Sequence, residues 1–273
     1  MYEHHWKFQK APFKHDRSEA SFFMGRSHHN ALLKLQYLIE HRQGLGLLVG
    51  VSGSGKSRLL DAIVHQPHFS TWPVARVVYP QMSSIELLSY IAGALTLDEA
   101  LPTQPSMDIV LRNLENSFVR LTAEGRPPII LIDDAHTISD RQVLRSLQLL
   151  LNFQQPDRID FTLILVGQPE LVGVVRRVPE LDDRIVVPCV LQSLTAEETT
   201  GYIRQRLIAA GATQQIFSDE AMSAVHELSS GLPRRINRLC DFALLVGYAQ
   251  NLDAIGIDQI EGLSAELNLS RAA

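Results

Sequence analysis

The sequence has few cysteines and lacks long apolar runs. Its two cysteines, Cys189 and Cys240, each lie in an apolar segment, which is typical of buried free thiols in a reducing compartment. No apolar run approaches the roughly 18 residues that a membrane-spanning helix needs, and the N-terminus lacks the apolar core of a signal peptide. We therefore expect a soluble, cytoplasmic chain with no segment inserted into a membrane.

An excess of basic residues is also missing. The formal net charge is −5 over 273 residues, which argues against sequence-blind binding to nucleic acid. The paired histidines 4/5, 28/29 and 65/68 do not predict a metal site, because adjacent side chains on a helix point apart and no cysteine or carboxylate cluster accompanies them. Hydrophobic residues make up 45% of the chain, so a large core can be buried.

Apolar runs and helical patterns alternate over the first 190 residues. The runs at 47–49, 74–79, 127–134, 161–166 and 184–188 predict strands, and residues 27–42, 59–65, 83–95, 107–124 and 139–153 predict helices. Near-continuous apolar strands between helices indicate an α/β fold, a three-layer domain with a parallel sheet covered on both faces. Only helical patterns follow, at 195–210, 218–229, 233–249 and 256–266. We expect an N-terminal arm (1–25), an α/β domain (26–190) and a small all-helical domain (191–273).

A glycine-rich loop follows the first strand and matches Gly-x-x-x-x-Gly-Lys-Ser. Glycines let backbone N–H groups converge on phosphate oxygens, and the next helix directs its positive end at the same anion. Lys56 is expected to neutralise the β- and γ-phosphates of ATP, and Ser57 to place a hydroxyl on Mg²⁺. The alternative is a turn without a ligand. The expected nucleotide ligands are Gly50, Val51, Ser52, Gly53, Ser54, Gly55, Lys56, Ser57 and Arg58.

Two acidic residues end the third predicted strand. Asp133 is expected to hold the Mg²⁺ shell and Asp134 to activate the attacking water, because a P-loop fold needs carboxylates at this position. The alternative is a pair of solvated acids at a strand end. Glutamate is more usual at the second position, and aspartate is one methylene shorter. Slow hydrolysis is therefore expected, with the protein acting more as a nucleotide switch.

Three further polar residues are candidates for sensing or completing the site. Gln168 follows the fourth strand, where it would touch the γ-phosphate or the attacking water, or else serve as a turn residue. Arg184 would reach a neighbouring subunit's ATP, or else form a local salt bridge with Asp182 or Asp183. Arg234 begins a helix after Pro233 and would reach the γ-phosphate from the helical domain, or else lie on the surface.

Several strings resemble the general secretion pathway protein A (ExeA-like) ATPases. They are Tyr2-Glu-His-His-Trp, Phe22-Phe-Met-Gly-Arg-Ser, Leu131-Ile-Asp-Asp-Ala-His, Leu165-Val-Gly-Gln-Pro-Glu-Leu and Gly231-Leu-Pro-Arg-Arg-Ile-Asn-Arg-Leu-Cys-Asp. That family belongs to the AAA+ superfamily and is similar to the TniB and Mu B types of transposition ATPase. The resemblance implies a P-loop AAA+ domain with a helical lid, sensor roles for Gln168 and Arg234, and a trans-acting arginine at Arg184. It also implies ATP-dependent self-assembly, and an arm near residues 22–29 that borders the adenine.

Three functions compete on these grounds. The leading expectation is an oligomerising ATPase that drives assembly of a secretion or envelope complex, with a membrane or envelope assembly protein as partner. The second is a DNA-binding ATPase that assists a transposase, which the acidic balance disfavours. The third is a nucleotide-gated interaction module with little turnover, which Asp134 motivates. Longer members of the secretion family carry a membrane helix and a peptidoglycan-binding domain after the ATPase region, and this sequence contains neither.

Overall fold

A computed structural model describes residues 1–14, 23–42, 44–96 and 105–263. Contacts within the chain separate two compact units. One comprises residues 26–52 and 59–191 and is called the sheet unit. The other comprises residues 1–25, 53–58 and 192–273 and is called the helical unit. The second half of the glycine-rich loop thus clusters with the helical unit.

The sheet unit contains five parallel strands. They are β1 (Leu45–Gly50), β2 (Val74–Val77), β3 (Ile129–Ile132), β4 (Thr162–Gly167) and β5 (Ile185–Leu191), in the order β2-β3-β4-β1-β5. Every residue of β1, β3 and β4 is buried, whereas β5 alternates as expected for an edge strand. The α/β fold and the parallel sheet that the apolar runs predicted are confirmed.

Helices of the sheet unit bury apolar faces at the spacing that the sequence shows. Their bounds are α1 (Arg26–Glu40), α2 (Lys56–Val64), α3 (Ser84–Leu95), α4 (Met107–Ala123), α5 (Arg141–Leu151), α6 (Leu171–Val175) and α7 (Pro179–Asp182). A capping box between Ser83 and Glu86 begins α3. Helices α6 and α7 were not predicted, because runs of five and four residues are too short to display a helical period.

The helical unit is built from α8 (Ala196–Ala209), α9 (Asp219–Ser229) and α10 (Pro233–Ala249), and residues 257–263 are also helical. Thr195 forms a capping box with Glu198, and the Ser218 side chain caps α9. Both caps lie at the starts of helices that the sequence predicted, at residues 195 and 218. Within the described ranges, no helix has the length and apolarity required to cross a bilayer.

The first 14 residues pack into the core of the helical unit. The buried aromatic side chains of this arm are Tyr2, Trp6, Phe8 and Phe13. The indole nitrogen of Trp6 donates to the Leu244 carbonyl at 3.0 Å, and the ring lies so close to Gly247 that a Cβ there would approach it to 2.8 Å. These aromatic side chains therefore hold an irregular segment, which is neither helix nor strand, against the helical unit.

Candidate nucleotide site

The carboxyl ends of β1, β4 and β3 lie side by side at one edge of the sheet. Val49 of β1 pairs with Gly167 of β4, and Ile132 of β3 pairs with Leu165 of β4. Strand β4, which Gln168 follows, therefore lies between β1 and β3. The glycine-rich loop follows β1, and the two acids follow β3. Ligands of open parallel sheets bind outside this edge.

Asp133 is fixed by hydrogen bonds at the end of β3. Its backbone N–H donates to the Val77 carbonyl at 2.8 Å, and its carboxylate accepts from Arg76 at 3.0 Å and from the N–H of Asp134 at 3.1 Å. Arg76 also donates to Asp61 at 2.7 Å. Burial of the guanidinium alone lowers the pKa of Arg76, but Asp133 and Asp61 more than reverse this effect and raise the pKa.

Asp134 contrasts with its neighbour. Its side chain is 58% exposed, and its backbone adopts the left-handed conformation, with φ 47° and ψ 33°. Aspartate tolerates this conformation better than most residues, yet it remains a strained position of the kind that clusters at functional sites. The exposed carboxylate is oriented by no hydrogen bond within the described residues, so it is available to a water molecule or a ligand.

His136 lies between Asp134 and Gln168. The Gln168 amide nitrogen is 3.0 Å from His136 Nε2, and His136 Nδ1 is 3.8 Å from an Asp134 carboxylate oxygen. The predicted sensor Gln168 thus contacts a histidine rather than Asp134 itself. A histidine between these two groups was not predicted, although it stands in the Asp-Asp-Ala-His string.

The glycine-rich loop has the backbone that an anion site requires. Gly53 and Gly55 have φ of +82° and +101°, conformations that side chains with a Cβ rarely adopt. Lys56 begins α2 and is only 8% exposed, whereas Ser57 is exposed. Turns with positive φ in front of a helix N-terminus direct N–H groups toward an anion, so this segment fits a phosphate group.

The residues predicted to hold Mg²⁺ carry oxygen atoms, which are the donors that this ion prefers. The described residues contain no group of three or more His, Cys, Asp or Glu side chains that could hold a metal by themselves. Mg²⁺ usually binds through one or two protein oxygens, with phosphate oxygens and water completing its shell. A hydroxyl at Ser57 and a carboxylate at Asp133 match that donor chemistry.

Arg234 lies against the loop within the helical unit. Its backbone N–H donates to the Gly53 carbonyl at 3.3 Å, and a Cβ on Gly53 would come within 2.7 Å of the Arg234 Cβ. Gly53 is therefore required both by its φ and by the close approach of α10. The first turn of α10 therefore packs directly against the phosphate loop, a contact that the sequence did not reveal.

Arg184 is exposed and precedes β5 in the sheet unit. Its guanidinium donates to the Asn152 side chain at 2.9 Å. The alternative of a local salt bridge was wrong: among the described residues, Arg184 forms no ion pair with Asp182 or Asp183. Both acids belong to the end of the unpredicted helix α7 or its cap, and Asn152 at the end of α5 is close in space only through the fold.

The segment expected to border the adenine is only partly described. Phe22 lies outside the described residues. Phe23 packs edge-on against Tyr202 of α8, with ring centroids 5.7 Å apart. Burial raises the pKa of Tyr202, an effect that nearby Arg206 and Arg58 oppose, and its hydroxyl donates to Asn237 at 2.7 Å. The charge of Arg58 therefore acts on Tyr202, one member of this aromatic pair.

Two residues that contact the predicted site residues Asp133 and Gln168 were missed from the sequence. Arg76 is the only charged residue in β2, and this exception within an apolar strand was the available signal. Its partners Asp61 and Asp133 are 15 and 57 residues away in the chain, so no local pattern connects them. His136 carried a weaker signal, since histidine in a turn is common.

The chain is similar to proteins of known class. A family model described as "AAA domain" matches residues 39–175, half of the chain. General secretion pathway protein A of Aeromonas hydrophila is 28% identical over 252 residues, which are 92% of this chain and 45% of that protein. The chain therefore spans less than half the length of this relative.

Solved structures agree on the fold. The ORC2 protein of Aeropyrum pernix superimposes with a TM-score of 0.71 at 15% identity, covering 95% of this chain and 72% of that one. The RuvB Holliday junction branch migration motor of Thermotoga maritima superimposes with a TM-score of 0.62 at 20% identity, covering 90% and 70%. The family model covers half of the chain and shows that the chain belongs to the AAA domain family.

Proposed function

We propose that this protein binds ATP with Mg²⁺ and hydrolyses it slowly. The observation that carries the proposal is the loop in which Gly53 and Gly55 adopt positive φ directly before the helix that Lys56 begins. Its backbone N–H groups and Lys56 bind the phosphates, and Ser57 and Asp133 hold the Mg²⁺ shell. The remaining proposed nucleotide contacts come from Gly50 to Ser52, Ser54 and Arg58.

Asp134 acts as the base in the proposed reaction. Its carboxylate orients a water molecule and takes a proton as the water oxygen attacks the γ-phosphorus, and the bond to the β–γ bridging oxygen breaks to give ADP and inorganic phosphate. Ser57 and Asp133 would hold Mg²⁺, which when bound would supply positive charge to offset the charge that develops on the phosphate oxygens. Gln168 and Arg234 sense the γ-phosphate. The exposed, strained position of Asp134 supports its assignment.

The test separates binding from turnover. Lys56→Ala is expected to weaken ATP binding by about 100-fold or more in a calorimetric titration, because it removes the main positive charge of the loop. Asp134→Asn is expected to retain binding and to abolish phosphate release; asparagine is an apt control because it also tolerates the left-handed backbone. Tight ATP binding by Lys56→Ala would contradict the assignment of the phosphate site. Phosphate release that Asp134→Asn leaves unchanged would contradict the assignment of Asp134 as the base.

Self-assembly on ATP is the second part of the proposal. The similarity to general secretion pathway protein A supports an oligomer that assembles an envelope or secretion complex from the cytoplasm. Arg184 acts in trans on a neighbouring subunit's ATP, consistent with its exposure. Sedimentation with a slowly hydrolysed ATP analogue is expected to detect the oligomer. A protein that stays monomeric would remove the role of Arg184.

A surface of α10 favours a second candidate function, ATP-dependent DNA binding. Arg235 and Arg238 are exposed, and the Arg238 guanidinium lies 5.8 Å from the ring centroid of exposed Phe242. Basic and aromatic side chains together suit phosphate and base contacts. Fluorescence anisotropy with single-stranded and duplex DNA, each with ATP at low salt, tests this candidate, and flat titrations with both would eliminate it.

A further inference from the structure

We propose that His136 is a positioning residue that links the sensor Gln168 to the base Asp134. The inference rests on the proposed ATPase function and extends it to a residue outside the phosphate loop. All three residues belong to the sheet unit, at the ends of β3 and β4. The link makes the orientation of the base depend on the state of the sensor.

The hydrogen bond to Gln168 determines which ring nitrogen carries the proton. The amide nitrogen of Gln168 is a donor, and it lies 3.0 Å from His136 Nε2, so Nε2 accepts and the proton of the neutral ring resides on Nδ1. Nδ1 is buried and has no hydrogen-bond partner within the described residues. The Asp134 carboxylate oxygen 3.8 Å away is therefore the acceptor toward which this buried N–H is presented.

The ring is fixed, whereas the carboxylate is free to turn. The His136 side chain is 14% exposed and packs on Gly167, where a Cβ would come within 3.2 Å of both its backbone nitrogen and Nδ1. The turn is tied by the N–H and hydroxyl of Thr137, which both donate to the Asp134 carbonyl. The Asp134 side chain is 58% exposed, so it has room to rotate, and a hydrogen bond to Nδ1 requires its oxygen to move about 1 Å closer than 3.8 Å.

The geometry gives His136 the role of the middle member of a three-residue chain. A histidine that donates through one nitrogen and accepts through the other transmits the position of one partner to the other. When the Gln168 amide turns toward a γ-phosphate, it withdraws the donor that holds His136 in the Nδ1–H form. The orientation of Asp134 then changes with the nucleotide, although Gln168 does not contact it.

The first experiment needs no hydrolysis. NMR of the full chain labelled with ¹⁵N-histidine is recorded at about pH 8, where the two tautomers give distinct nitrogen shifts. We expect the Nδ1–H form for His136, and loss of that preference in Gln168→Ala. His136→Ala assigns the signal, and the exposed His41, which bonds its own helix, serves as the control for a non-specific change. An Nε2–H tautomer, or a signal indifferent to Gln168→Ala, would overturn the proposal.

The second experiment uses paired substitutions. His136→Asn places an amide near Nδ1 and keeps the donor for Asp134, whereas His136→Gln reaches the Nε2 position and keeps only the contact with Gln168. We expect His136→Ala to lower kcat by about tenfold or more, as small misplacements of catalytic groups do, while the Kd for ADP stays within about threefold. His136→Asn should recover more of kcat than His136→Gln.

A double-mutant cycle distinguishes coupling from general damage. Gln168→Ala should lower kcat in the parent and have little further effect in His136→Ala, because the chain is already broken. Independent effects that multiply, or a kcat for His136→Ala within about twofold of the parent, would contradict the proposal. If the parent released no phosphate, the proposed ATPase function would fail by itself, and the tautomer measurement would still decide the link between Gln168 and His136.

Discussion

The sheet unit and the helical unit each hold a partly or fully buried arginine, but with different partners. In the sheet unit, Arg76 meets two carboxylates, Asp61 and Asp133, at the edge where the strands end. In the helical unit, Arg206 is 6% exposed and donates at 2.7 Å to two main-chain carbonyls of the N-terminal arm. The comparison shows that a buried arginine can hold two carboxylates in place beside a sheet edge in one unit and can tie irregular backbone to a helix in the other.

Each unit also contains one buried cysteine that reports on its integrity. Cys189 lies in β5 and Cys240 in α10. Burial raises the pKa of Cys189 to about 11, and burial together with Asp241 raises the pKa of Cys240. Because raised pKa values keep both groups as thiols near neutral pH, labelling by a thiol reagent should require local or global opening, and its rate should identify which unit opens.

Trp6→Ala should have the largest effect and confine it to the helical unit. The change removes a 4% exposed indole and its hydrogen bond to Leu244, and large-to-small core substitutions of this kind cost about 3–5 kcal/mol. Labelling of Cys240 should accelerate far more than that of Cys189. Tyr79→Ala, at a 63% exposed aromatic of the sheet unit, is the control and should leave both rates unchanged.

Arg206→Met should release the arm at a smaller cost. Methionine keeps the apolar stem but leaves two arm carbonyls without their charged donor, a loss of about 2–3 kcal/mol. Urea unfolding and limited proteolysis near residues 12–14 measure it. Arg204→Met on the same helix removes only an exposed ion pair with Asp219 and should cost at most about 0.5 kcal/mol. Equal losses of stability in Arg206→Met and Arg204→Met would contradict the conclusion that Arg206 holds the arm in place.

Asp133→Asn should loosen the other unit. It replaces the carboxylate that faces the Arg76 guanidinium with a neutral amide, which costs about 1–2 kcal/mol. Faster labelling of Cys189, with Cys240 unaffected, is the expected signature. Asp134→Asn is the matched control: its carboxylate is exposed, so stability should stay within about 0.5 kcal/mol. A larger effect at Asp134 than at Asp133 would reverse our assignment of which acid is structural.

Asp134→Gly should have the smallest effect on stability and the opposite sign. Glycine relieves the left-handed strain at φ 47°, although it also raises the entropy of the unfolded chain, and the net gain is about 0.5 kcal/mol. Chemical unfolding measures the gain, and phosphate release should be lost. A stabilised, inactive variant would show that the strain belongs to the function; a destabilised one would argue that the aspartate side chain supports the turn.

Much of the fold could be predicted from local pattern. The five strands and most helices appear within a few residues of the predicted positions, because burial on both faces and helical periodicity are written in consecutive residues. The short helices after Gln168 were missed for lack of length. The Arg184–Asn152 contact was missed because its partners, 32 residues apart, meet only after β5 takes its place at the sheet edge.

The sequence by itself determined the phosphate loop, the acids that end β3, and the α/β class, since each depends on residue type at a fixed spacing. Only the tertiary structure decided the strand order that puts β4 between β1 and β3. It also decided that Arg76 binds Asp133 and that His136 lies between Gln168 and Asp134. The Arg76–Asp133 and Gln168–His136 contacts join segments of different strands, and the sequence does not reveal which strands are neighbours in a sheet.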